Sequence, residues 1–243
     1  MGPGALEIWL NHFEHHARRR RVQRSLSDVL RPHERHLIAC SIAIFQLGEQ
    51  SDGRLLLRAA ERFANQNGAP NVARIFELLI REQQRHARLL RAFMQDHGIR
   101  SKKADCTDRV FRLIRRLAGL QLYVSVLICA ELIGQVYYRA LESVTDCKRL
   151  QVLCRSIVSD ELAHVGFESQ LLFELRAGRP APLRAVARPA HRAFFAVTAG
   201  VVWLTHRSVL SRGGHSARSF LRACLAQYAF YLEPAGVRLA ATS

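Results

Sequence analysis

The segment from Leu117 to Tyr138 constrains the fold most, because Glu131 is the only charged residue among its 22 residues. A run of this length could cross a bilayer as a helix. Polar residues such as Gln121 and Gln135 dilute it, however, so the segment favours a helix buried in a protein core. An unpaired carboxylate in such a core is costly or becomes neutral. Glu131 is therefore the first residue to examine for a bound cation.

The remaining pattern predicts an all-helical chain. The 243 residues are 49% hydrophobic and 23% charged, as is typical of a globular protein, and only seven are proline. Apolar residues recur with helical spacing and stop at clear turns such as Asn65–Pro70 and Gly178–Pro182. The predicted helices cover residues 5–24, 33–64, 71–96, 107–144, 146–176, 183–211 and 216–232.

A candidate ligand pair lies in the fourth long helix, where Asp160 to His164 reads D-E-x-x-H. Glu161 and His164 are three residues apart and project from one face of a helix. A carboxylate oxygen and an imidazole nitrogen are both ligands of first-row metals. The spacing alone is weak evidence, because it occurs by chance in many solvated helices.

Matching residues occur on the other three long helices. Glu49 precedes Gln83 by 34 residues, and Glu131 precedes Glu161 by 30 residues. Such separations lead up one helix, through a turn and back to the same level of the next. His86 follows Gln83 by three residues, as His164 follows Glu161. These positions are predicted to share one layer of a four-helix bundle, where a cation would explain the buried acids.

Over residues 33–177 this pattern resembles the ferritin-like superfamily of di-iron carboxylate proteins. That family takes one Glu from each of two helices and an E-x-x-H motif from each of the other two. The resemblance implies metal ligands at Glu49, Gln83, His86, Glu131, Glu161 and His164. The implied cofactor is iron in a two-metal site, with a mixed Mn/Fe site or a single metal as alternatives.

The sequence departs from the family at Gln83, where the family has Glu. A Gln carbonyl can bind a metal but brings no charge, which weakens the site or favours one occupied position over two. Glu82 could substitute if the helix rotated locally, for example through a single π-turn. Glu168 and Asp160 are candidates to support a ligating histidine, and a solvated carboxylate is the plain alternative for both.

The resemblance implies a ferritin-like four-helix bundle over residues 29–178, with an O₂-dependent oxidoreductase activity of the oxygenase or hydroxylase type. Residues 1–28 would form a short, basic, amphipathic helical arm, and residues 179–243 would add two helices packed on the bundle. The alternative is a non-catalytic binding or scaffold protein with a degenerate metal site. Iron storage or peroxide scavenging is disfavoured, because extra helices and positive charge do not help a cage to assemble.

The positive net charge of the chain indicates anionic partners but does not identify one. Lys and Arg total 36 against 20 acidic residues, which gives a net charge of +16. The expected partners are a small or carrier-bound anionic substrate and, through the basic run Arg18 to Arg21, nucleic acid or an anionic membrane surface. A homodimer is a further expectation. The arginines are spread over most helices, so charge alone does not choose among these partners.

The cysteines and the N-terminus favour a cytoplasmic protein. None of the six cysteines forms a C-x-x-C pair, so reduced, mostly buried thiols are expected. No apolar secretory segment opens the chain. The sequence contains no G-x-S-x-G, P-loop or G-x-G-x-x-G motif, which leaves hydrolase, NTPase and dinucleotide-binding functions without support.

Overall fold

The computed structural model describes residues 2–19, 28–50, 53–102 and 119–233. Within these ranges the backbone is helical or connects helices, and it contains no strand, so the all-α prediction is confirmed. The helices are α1 (Pro3–Arg19), α2 (Pro32–Glu49), α3 (Arg54–Asn67), α4 (Pro70–Asp96), α5 (Leu120–Ser143), α6 (Lys148–Ala177), α7 (Ala181–Arg212) and α8 (Ala217–Leu232). The predicted start of the third long helix, residues 107–118, lies outside the described residues, and a ferritin-like bundle stays a prediction.

The chain divides into two compact units. The first comprises residues 1–27 and 42–123, and the second comprises residues 28–41 and 124–243. The predicted divisions after residues 28 and 178 stay predictions.

In the first unit, α4 packs against both α1 and α3. Its buried residues Val72, Ile75 and Leu79 follow the three- and four-residue spacing of one helix face. Leu6 and Phe13 of α1 are also buried. The apolar face of the amphipathic N-terminal helix is therefore part of this core. Of the basic run Arg18 to Arg21, the last two residues lie outside the described ranges.

The first predicted long helix, residues 33–64, is two helices. α2 ends at Glu49 and α3 begins at Arg54. Gly53, immediately before α3, has a φ of 66°, a left-handed conformation that glycine adopts without the steric cost of a Cβ atom. A continuous α-helix cannot pass through a residue in that conformation. The Asp52-Gly53 dipeptide was the available signal for this turn.

Replacing Gly53 by alanine is expected to lower the free energy of unfolding by about 3 kcal/mol, through left-handed strain and overpacking. A Cβ atom at Gly53 would lie 2.5 Å from Cγ2 of Ile80. Gly68 is the matched control, because its φ is 61° and a Cβ atom there would meet nothing within 4 Å. Gly68→Ala should cost about 1 kcal/mol. Urea denaturation measures both; equal losses would contradict the role of the Ile80 contact.

In the second unit, α8 packs against α6 and α7, and residues 28–41 are fastened near the start of α6. The buried Glu34 carboxylate accepts hydrogen bonds from the backbone N–H groups of Arg31 (2.8 Å) and Asp146 (2.6 Å). Burial alone would raise the pKa of Glu34, but these hydrogen bonds lower it. Glu34 therefore holds the beginning of α2 to the α5–α6 connection.

Two helices among the described residues are long and apolar enough to cross a membrane, α5 and α7. The apolar window of α5 is 78% buried inside the protein, as expected for a core helix. The corresponding window of α7 is 33% buried. The uncharged run Ala193–Thr205 is short, but α7 continues beyond it at both ends. Length and apolarity alone are weak evidence for membrane insertion, and a cytoplasmic location stays a prediction.

Candidate metal centre

Four buried side chains converge where α5 faces α6 in the second unit. Glu131 comes from α5, and Glu161, His164 and Glu168 come from α6. The spacings of three and four residues place the three α6 side chains on one helix face. Of the predicted ligands, the structure therefore brings Glu131, Glu161 and His164 together, and Glu168 lies beside them.

The distances within this cluster suit a metal ion. Nδ1 of His164 lies 3.5 Å from Oε1 of Glu131 and 3.6 Å from Oε2 of Glu161. One ligand atom from each of these three residues lies within 4.8 Å of the others. Around an ion with bonds of about 2.1 Å, neighbouring donor atoms lie about 3.0 to 4.2 Å apart. Small side-chain movements would thus suffice for binding.

The electrostatics of the cluster also favour a cation. Burial raises the pKa of Glu131 to about 7, and the negative charge of Glu161 contributes to this rise. Burial, followed by the charge of Glu131, raises the pKa of Glu168 well above its usual range. Burial alone would lower the pKa of His164, but Glu161 and Glu131 raise it well above its usual value. The cluster therefore retains protons that a divalent cation would displace.

The donor atoms fit the implied iron. The cluster offers carboxylate oxygens and one imidazole nitrogen, and it contains no thiolate. Such oxygen and nitrogen donors suit iron, manganese and other first-row divalent ions, and they do not by themselves distinguish among those ions. The structure thus supports metal binding by buried Glu and His residues, without identifying the metal.

The first unit holds a second acid–histidine pair. Nδ1 of the fully buried His86 lies 3.9 Å from Oε2 of Glu49, whose side chain is 13% exposed. These two predicted ligands therefore lie near each other. Gln83 is half-buried on α4 and supplies no charge.

Glu82 is engaged elsewhere in the first unit. Its Oε1 lies 3.2 Å from Nδ1 of His16 and 3.9 Å from Nη2 of Arg85. α4 is α-helical at every residue from Pro70 to Asp96, so the π-turn that would have moved Glu82 into the place of Gln83 is not formed.

No family model, curated protein or solved structure matches this chain significantly. The ferritin-like superfamily therefore remains a resemblance, carried by the residue types and spacings described above. The chemistry of the chain is therefore inferred from its own side chains.

Two further ring side chains, those of His16 and Tyr138, contact buried groups. His16 of α1, which contacts Glu82, follows the buried Phe13 by three residues and therefore shares its helix face. Tyr138 of α5 is buried, and its ring centroid lies 5.4 Å from that of Tyr137. Tyr138 therefore packs in the core.

Proposed function

We propose that the chain is a metal-dependent oxidoreductase that uses O₂, with iron held by Glu131, Glu161 and His164. The observation that supports this proposal is the convergence of these side chains, with Glu168, in a buried part of the second unit. A structural core would gain more from apolar residues at these positions, because buried ionisable groups are costly. A bound redox-active cation would offset the free-energy cost of burying these groups and would give them a function.

Each side chain has a distinct task in the proposed centre. Iron, when bound, would supply the electrons for O₂ reduction. The carboxylates of Glu131 and Glu161 would neutralise the charge of the ion, and His164 would provide a neutral nitrogen donor. Glu168, whose pKa is raised by burial, can hold a proton beside the centre. Burial of all four groups keeps bulk water away from the reaction.

The resemblance to di-iron proteins also predicts a second iron ion, for which Glu49 and His86 are the implied ligands. Their separation of 3.9 Å supports this part of the proposal. The neutral Gln83 in place of an acid predicts weaker binding at that position than at Glu131, Glu161 and His164.

Metal analysis tests the proposal directly. Protein from iron-replete cells is expected to hold about one or two iron ions per chain, and anaerobically loaded protein should consume O₂ on exposure to air. The double variant Glu49→Ala/His86→Ala should lose only the weaker ion. Protein that is purified without metal, and whose melting temperature ignores added Fe(II), would refute the proposal.

A second candidate function is favoured by Gln83. If this departure has disabled the redox chemistry, the chain is a helical binding module for anionic partners that retains a metal as a structural element. Such a protein would bind iron without consuming O₂. Its affinity for a polyanion would fall steeply with salt concentration.

A further inference from the structure

A cavity of about 110 Å³ lies near the end of α6, in the second unit. Three of the residues that line it are arginines, Arg176, Arg184 and Arg188. Four others are apolar, namely Leu172, Phe173, Ala177 and Leu232. The metal cluster uses none of these side chains. A water molecule occupies roughly 30 Å³ of liquid, so the cavity has room for a phosphate-sized group.

Arg176 is held in a buried position that a charged guanidinium does not favour by itself. Its side chain is 8% exposed, and its Nε atom is buried without a hydrogen-bond partner. One guanidinium N–H donates to Nδ1 of His191 at 2.8 Å. Nδ1 of His191 is thus an acceptor, and Nε2 carries the proton that is donated to the carbonyl oxygen of Ser125, also at 2.8 Å.

The partners of Arg176 do not neutralise it. Burial, together with the charge of Arg176, lowers the pKa of His191 to about 4, so this imidazole is neutral at physiological pH. The hydroxyl of Tyr228, 3.1 Å from the same Nδ1 atom, is neutral as well. A buried charge is stable when an opposite charge with good hydrogen-bond geometry compensates it. These neutral partners leave the charge of Arg176 uncompensated, so an oxyanion bound in the cavity would stabilise it.

Arg184 and Arg188 extend this positive charge to the exposed edge of the cavity. They are four residues apart on α7 and so project from one face of the helix. One guanidinium N–H of Arg184 donates to the carbonyl oxygen of Ala177 at 3.2 Å, which directs the side chain back towards the end of α6. Guanidinium groups match phosphate and carboxylate oxygens with paired hydrogen bonds.

We propose that this cavity binds the phosphate group of a small phosphate monoester whose organic part contacts Leu172, Phe173 and Leu232. Three guanidinium groups favour a dianion over a singly charged carboxylate, because the Coulomb attraction grows with ligand charge. The apolar lining favours an organic phosphate over the free ion. This site is independent of the proposed metal chemistry, since it shares no residue with the metal cluster.

Phenyl phosphate is the probe, titrated calorimetrically into the full-length protein after treatment with a chelator. We expect saturable binding of one ligand per chain. Binding should be at least roughly tenfold tighter than that of inorganic phosphate or benzoate, which lack the organic part or the second charge. Removing metal beforehand ensures that failure of the metal proposal does not affect this measurement.

Variants locate the site. The double variant Arg184→Ala/Arg188→Ala should weaken the binding of phenyl phosphate roughly a hundredfold. The matched control is Arg218→Ala/Arg222→Ala, which removes two exposed arginines of α8. This control should change the affinity less than about threefold. Arg176→Lys keeps the charge but loses the paired donors, so roughly a tenfold loss is expected. The melting temperature of each variant shows whether it folds.

Several results would overturn the proposal. An equal loss in the two double variants would show attraction by net charge alone. Benzoate or inorganic phosphate binding as tightly as phenyl phosphate would refute the assignment of an organic phosphate. Binding only to vesicles that contain an anionic phospholipid, and not to phenyl phosphate, would assign the surface to a lipid headgroup instead.

Discussion

Replacing His164 by alanine is expected to lower the affinity of the protein for Fe(II) at least about a hundredfold. Loss of a metal ligand should lower the affinity no less than loss of a group that only hydrogen-bonds to a ligand. His164 is fully buried between Glu131 and Glu161, so solvent cannot easily supply a replacement donor. The effect is measurable as stabilisation against unfolding. At a concentration of Fe(II) one hundred times the Kd of the unmodified protein, binding adds about 2.7 kcal/mol to its stability and about 0.4 kcal/mol to that of the variant.

His206→Ala is the matched control for this experiment. His206 is also buried in the second unit, and its Nδ1 atom lies 2.8 Å from Oγ of Ser41. The control variant should be less stable without metal, yet it should gain the full stabilisation from Fe(II). If both variants lose Fe(II) affinity to the same extent, the loss reflects damage to the fold and His164 is not a ligand.

The helices of this chain were predictable where apolar residues recur over many turns and the ends carry strong signals. α4 begins at Pro70 and ends just before Gly98, whose φ of 66° is the left-handed conformation in which glycine commonly terminates a helix. The break at Gly53 was missed because apolar helical stretches lie on both sides of the short polar segment from Glu49 to Arg54. There the backbone conformation of a single residue outweighs the periodicity.

The candidate site was predictable only where its sequence signals are local. The spacing of Glu161 and His164 is local, and the isolation of Glu131 in an uncharged segment is visible in the sequence. The arginine-lined cavity was not predictable, because Arg176 depends on His191, and His191 on Ser125 and Tyr228. Such long-range contacts follow from packing, which no local spacing encodes.

Metal-free protein is expected to lose roughly 3 kcal/mol of stability as the pH rises from about 5 to 8. The pKa of Glu131 is raised from 4.5 to about 7 in the folded protein. The folded state therefore binds more protons than the unfolded state between these values, and its stability falls as pH rises through this window. The raised pKa of His164 acts in the same direction, because its contribution is present below 6.5 and is lost as pH rises through the folded value.

Glu131→Gln tests the origin of this slope, because glutamine imitates the protonated acid and cannot ionise. The metal-free variant should show a much smaller loss of stability between pH 5 and 8, measured by urea denaturation in a chelating buffer. Glu61→Gln, at an exposed position of α3, should keep the slope of the unmodified protein. Fe(II) competes with protons for the same side chains, so its affinity for the unmodified protein should increase with pH over this range. Identical slopes in the two variants would show that Glu131 does not retain its proton, which would remove the electrostatic reason for a cation at this position.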